Sequence, residues 1–160
     1  LASLQIIFNI FRQKPITELF KQAKTKGVSL IVRLPLASGL LGGQLNVNVP
    51  FPENDHRRFN NDGQCFNVGE TFAGIPFNIG LDLTQELKKM VPEGMTLAQM
   101  ALRWILDFDA VTVVIPGSKS PLQVPDNAFA SKLPSLPESL HEKLSIFYNE
   151  KIIQHIRGKY

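Results

Sequence analysis

Apolar residues along the chain fall into short β-branched runs and longer stretches with helical spacing, and the two kinds alternate. Residues 4–9, LQIIFN, form the first run and predict a strand, with Gln5 its one polar interior position. Gln5 either faces outward or contacts a ligand inside a barrel. Residues 15–26 predict a helix, because Ile16, Leu19, Phe20 and Ala23 recur at i, i+3, i+4 and i+7 and Gly27 follows as a stop. Residues 28–34, VSLIVRL, predict a second strand. Its Arg33 lies near the C-terminal end and must reach solvent, a partner or an anionic ligand.

The second half repeats the alternation. Residues 81–91 predict a helix carried by Leu83, Leu87 and Met90, and 91–94 a linker. Residues 96–108 predict the clearest helix, with Thr96 and Gln99 as a capping box and Trp104 in its apolar face. Residues 111–115 read as a strand buried on both faces, broken by Pro116-Gly117. A helix is expected to start at Ser120-Pro121, with Ser120 and Gln123 forming a second capping box. A helix N-terminus directly after a parallel strand offers free N–H groups to an anion, and Lys119 adds a full positive charge in the turn. Ser135 with Glu138 predicts the cap of a last helix over about 140–154, packed by Leu140, Leu144, Phe147 and Tyr148 and followed by an exposed basic tail, HIRGKY. Strands alternating with helices imply βαβ units and a parallel sheet, so the fold class is α/β. Three strands do not close an eight-stranded barrel. The opening LASLQIIFN reads as the inside of a strand, so the chain is expected to begin within a fold.

Between the second strand and the later helices lies a long excursion, 45–69, rich in Asn and Pro. Segments of that length in a compact domain are usually functional or mobile. Just before it, Gly39, Gly42 and Gly43 permit unusual backbone angles, and Ser38 can donate to a ligand or to the local backbone. The excursion carries His56 between Asp55 and Arg57, but no nucleophile or orienting partner accompanies it, which removes the case for a hydrolase. Cys65 is the single cysteine, which excludes an internal disulfide framework and a CxxC metal site. His141 and His155 are too far apart for a local helical metal pair and read as surface residues.

Composition narrows the classes further. The chain has 160 residues, 44% of them apolar and 19% charged, enough for one globular domain over 1–160 with a real core. A net charge of +3, with scattered Lys and Arg, does not form the basic stripe a nucleic-acid binder needs. No apolar run reaches membrane-spanning length and no targeting signal opens the chain, so a cytoplasmic protein is expected.

Three segments, in this order, carry a resemblance. LQIIFNIFRQKP resembles the sixth strand of an aldo-keto reductase barrel, LIVRLPLASGLLGGQ the seventh, and VVIPGSKSPLQVPDNA the eighth with its phosphate-binding turn. MTLAQMALRWILDF and LPSLPESLHEKL are similar to the family's helices, so the resemblance covers essentially the whole chain. It implies the C-terminal part of a (β/α)8 barrel, with three parallel strands, flanking helices and one long loop. The implied cofactor is NADP, with NAD as the alternative, and the implied substrate a small carbonyl compound.

By that resemblance Gln5 would contact the nicotinamide carboxamide, and Arg33 would stand where the family's usual aromatic stacks on the nicotinamide. Leu36 and Ser38 would flank the pyrophosphate. Gly117, Ser118 and Lys119 would line the adenosine-phosphate turn. Gln123 would replace the basic residue that many members use for the 2′-phosphate, and Asn127 would reach the adenine. The family's catalytic Asp, Tyr, Lys and His motifs are not in these residues, so the chain by itself is expected to be inactive. The alternative expectation is a non-catalytic structural subunit within a larger assembly, with a protein partner covering the open barrel edge.

Overall fold

The computed structural model describes residues 1–48 and 50–158. Three parallel strands, β1 (Ser3–Ile7), β2 (Ser29–Arg33) and β3 (Val111–Val114), lie side by side in the order β1-β2-β3. The predicted βαβ alternation therefore holds. The register pairs Gln5 with Ile31 and Ile7 with Arg33, and beyond an irregularity after Leu30 it pairs Ile31 with Val113.

Alternation along each strand sorts the sheet into two faces. Leu4, Ile6, Leu30, Val32, Val111 and Val114 belong to, or pack against, the hydrophobic core. Gln5, Ile31 and Val113 share the other face, with Arg33 at its rim. Val113 is 42% exposed and Ile115 46%. The expected burial of 111–115 on both faces is thus corrected: helices cover one side of this sheet only.

The 15–26 stretch forms two short helices, α1 (Pro15–Glu18) and α2 (Phe20–Thr25), rather than one. The backbone breaks at Leu19, where φ is −123°, and beyond the break Phe20 packs edge-on against Phe8 and Phe108. Gly27 ends the segment at φ +62°, an angle a side chain would strain. The excursion is not structureless. It holds a short helix, α3 (His56–Phe59), capped by Asp55, whose carboxylate accepts from the Arg57 amide at 2.9 Å. A 3-10 turn, Val68–Glu70, straddles the end of the excursion, and a second, Phe72–Gly74, follows it.

Helix α4 (Phe77–Lys88) starts four residues earlier than its apolar spacing suggested, directly after Pro76. Helix α5 (Leu97–Leu106) bears out the Thr96–Gln99 capping box, with both reciprocal bonds formed at 3.1 and 2.9 Å. Its Trp104 is 1% exposed and lies against Phe8 and Phe108, as its place in the apolar face predicted.

Helix α6 (Gln123–Phe129) starts later than Ser120-Pro121, and no side chain caps it. Helix α7 (Glu138–Phe147) is likewise uncapped by Ser135, because Pro137 occupies the cap position. Ser135 instead bonds the buried Asp107 carboxylate. That carboxylate also accepts the Leu136 amide at 2.9 Å and pairs with Arg103 and with His141, each at 3.0 Å. His141 stacks on Trp104, so it is a half-buried staple between α5 and α7 rather than a surface residue. The C-terminal stretch also docks. Arg157 donates to the Gly74 carbonyl at 3.0 Å and pairs with Asp62 at 2.5 Å. Lys159 and Tyr160 of the predicted tail lie outside the described residues.

Candidate functional site

The C-terminal ends of the parallel strands form one rim. In parallel α/β architectures ligands bind there, because the loops that follow the strands converge. Here the rim is fastened at two points. The Asn9 amide donates to the Leu34 carbonyl at 2.9 Å, which ties the turn after β1 to the end of β2. The Ile115 amide donates to the Val32 carbonyl at 2.9 Å, which carries the β3 pairing into the Pro116-Gly117 turn. Gln5 and Arg33 sit on the uncovered face below this rim. Leu36 and Ser38 follow β2, and 117–127 follows β3. The nine predicted site residues therefore all lie in or after the three strands.

Arg33 has a partner that the sequence did not reveal. Its guanidinium forms a two-pronged ion pair with the Glu70 carboxylate, Nη1 to Oε2 and Nη2 to Oε1. The Glu70 hydrogen bonds and charge hold the Arg33 pKa above its ordinary value although partial burial works against it. The side chains are 32% and 28% exposed, so the pair is open to the space over the sheet. Glu70 sits 37 residues along the chain, directly after the excursion, and no local pattern marks it.

Ser38 is engaged with the same segment. Its hydroxyl accepts the Phe72 amide at 3.1 Å and lies 3.4 Å from the Glu70 carbonyl oxygen, to which it donates. The hydroxyl therefore bonds backbone, though of a segment more than 30 residues away rather than the local backbone expected. Leu34, Ala37 and Ser38 on one side, and Phe72 and Ala73 on the other, all adopt positive φ between 48° and 57°. Strained backbone of this kind persists where surrounding contacts fix it. Arg57 adds a further contact, its Nη1 reaching the Ser38 carbonyl at 3.4 Å. Arg57 is itself buried, paired with Asp55 at 2.6 Å and stacked over the Phe51 ring. Hydrogen bonding from Arg57 holds the Asp55 carboxyl at about 2 although partial burial opposes it.

In the third loop the Gln123 side chain does reach back, but to the Lys119 amide at 2.6 Å rather than to Ser120. The predicted capping box is therefore a longer staple, four residues across, and it takes one of the amides expected to be free for an anion. The Asn127 amide donates to the Ser118 hydroxyl at 3.0 Å, joining two predicted site residues. Lys119 is exposed, and a Cβ added to Gly117 would meet nothing within 4 Å, so the turn has room beside it. In the excursion His56 lies 3.6 Å from Asp55 with its side chain 41% exposed, while Cys65 is exposed and forms no disulfide. Among the described residues no group of three or more His, Cys, Asp or Glu is placed to hold a metal ion. No helix among them is long and apolar enough to cross a membrane.

Comparison with known proteins agrees with this architecture. The chain is 31% identical over 137 residues to aldo-keto reductase str7 of Strobilurus tenacellus, covering 83% of this chain and 38% of that protein. It is 32% identical over 108 residues to L-glyceraldehyde 3-phosphate reductase of Escherichia coli, covering 67% of this chain and 30% of that one. The fold superposes on glycerol dehydrogenase AKR11B4 of Gluconobacter oxydans with a TM-score of 0.74 at 21% identity, over all of this chain and 46% of the other. It superposes on the holo form of aldo-keto reductase AKR11C1 of Bacillus halodurans with a TM-score of 0.62 at 23% identity, over 98% of this chain and 46% of the other. The chain thus spans less than half the length of each of these relatives. The sequence profile described as aldo/keto reductase family matches residues 1–149. On these grounds the chain belongs to the aldo/keto reductase family.

Proposed function

We propose that residues 1–160 are the cofactor-binding part of an NAD(P)H-dependent oxidoreductase that reduces small aldehydes or ketones. The observation that carries this reading is the rim itself. In a chain of this family, one end of a parallel sheet gathers a half-buried guanidinium paired with Glu70, a 3-10 turn and a cationic loop with room beside it. The bound nicotinamide would supply the hydride. The chain's own residues bind and orient: Gln5 holds the carboxamide, Arg33 supports the ring, and Leu36 with the backbone around Ser38 flanks the pyrophosphate. Ser118, Lys119 and Asn127 hold the adenosine end, with Gly117 leaving space for it. Gln123 acts chiefly by fixing the Lys119 backbone, which leaves Lys119 as the main cationic contact for NADP, with NAD as the alternative cofactor.

Turnover needs a proton donor from outside these residues. Tyr148 is buried in the core cluster after α7, packed with the helices rather than at the rim. On this reading the chain alone binds the cofactor without turning over substrate.

The test is Lys119→Ala. A charge-assisted contact contributes about 1.5–3 kcal/mol, so affinity for NADPH falls by about 10- to 150-fold and affinity for NADH by less. Unchanged affinity for both removes the turn from the site. A second reading, a non-catalytic subunit packed into an assembly, is favoured by the exposure of Val113 and Ile115 on the uncovered sheet face. Tight NADPH binding argues for the first reading. Its absence, together with stable co-purification of a partner over that face, argues for the second.

A further inference from the structure

An aromatic ring under a nicotinamide and a guanidinium under it differ in one physical respect. The face of an aromatic ring carries negative charge density and attracts a cation. A guanidinium is a delocalised cation that stacks on planar groups but repels positive charge. The dihydronicotinamide ring is neutral, whereas the oxidised ring carries a positive charge. We infer that Arg33, held by Glu70, is a specificity-determining residue that favours the reduced cofactor over the oxidised one. This rests on the dinucleotide reading above and goes further, because it assigns the redox preference to one pair of side chains.

The arrangement suits that task. Both terminal nitrogens of Arg33 are bound by Glu70, which occupies one edge of the guanidinium and leaves 32% of the side chain exposed. The carboxylate lies at that edge, so a ring stacked on a face is nearer to the guanidinium carbon than to the carboxylate. Glu70 therefore reduces the repulsion without cancelling it. The pair is also held in place. The Glu70 turn is capped by Asn67, whose side chain accepts the Gly69 amide at 2.8 Å, and the Ser38 hydroxyl bonds the backbone on either side of Thr71. Gly69 has no room for a Cβ, because the Arg12 guanidinium occupies that space. The turn that carries Glu70 is thus held by several bonds, and a charge positioned in advance discriminates better than one that must reorganise.

The experiment is a set of titrations of the protein with NADPH, NADP⁺ and 2′,5′-ADP, a probe that lacks the nicotinamide. The expected result is that NADPH binds at least about tenfold more tightly than NADP⁺, the factor made by about 1.4 kcal/mol. Arg33→Trp brings the two affinities together or reverses their order. Glu70→Gln keeps much of the hydrogen bonding but removes the countercharge, and it widens the ratio. Neither variant changes the affinity for 2′,5′-ADP. Equal affinities for NADPH and NADP⁺ in the wild type and in Glu70→Gln, with 2′,5′-ADP still bound, overturn the role of Arg33 and leave the nucleotide site standing. Failure of the folded wild type to bind any of the three overturns the dinucleotide reading, and this inference with it.

Discussion

At the scale of single residues, the sequence stated needs more readily than it named partners. A charged Arg33 at a strand end required solvent, a partner or an anion, and the structure supplies Glu70 from a loop 37 residues away. Nothing local to either residue marks that pairing, because it exists only once the chain after the excursion returns to the rim. Core residues were legible from spacing alone, Trp104 most clearly. Truncating its ring to alanine should cost about 3–5 kcal/mol of stability; a loss within about 0.5 kcal/mol in urea unfolding, typical of a surface site, would contradict its burial. Asp55 gives a pH prediction. Its folded-state pKa of about 2 lies below the ordinary carboxylate value, so its contribution is present above about pH 4 and is lost as the pH falls through about 2. Asp55→Asn should flatten that part of the acid-unfolding curve; an unchanged curve would show that the Arg57 pair adds nothing.

At the scale of elements, strand and helix identity followed from periodicity, while helix ends depended on tertiary contacts. The two capping boxes over Thr96 and Ser120 look alike in sequence. Only the first forms, with both reciprocal bonds. In the second, Gln123 bonds the Lys119 amide because the turn after Pro116-Gly117 has yet to enter a helix at Ser120. Thr96→Ala should therefore lower the thermal stability by about 1 kcal/mol, and Ser120→Ala by less than about 0.5 kcal/mol. Equal losses would mean that Ser120 caps α6 after all. The last helix repeats the lesson: Ser135 had the right spacing to Glu138, but the buried Asp107 carboxylate recruits it as a bond donor.

At the scale of the whole molecule, the parallel order and the α/β class were legible because βαβ alternation leaves few other solutions. The exposure of 111–115 was not, since an apolar run does not say how many faces of its sheet are covered. In the chain on its own, Ile115→Lys should change stability by no more than about 0.5 kcal/mol; a loss of several times that would show that the face is covered. The central claim is that the rim at the strand C-termini binds a dinucleotide. It is tested most directly by mapping backbone amide chemical shifts as NADPH is added to the chain. Shifts concentrated at 33–38, 70–72 and 117–127 are the predicted result. Shifts clustered at the opposite ends of the strands, around 26–29 and 109–111, or no shifts in a folded chain at millimolar NADPH, would contradict it.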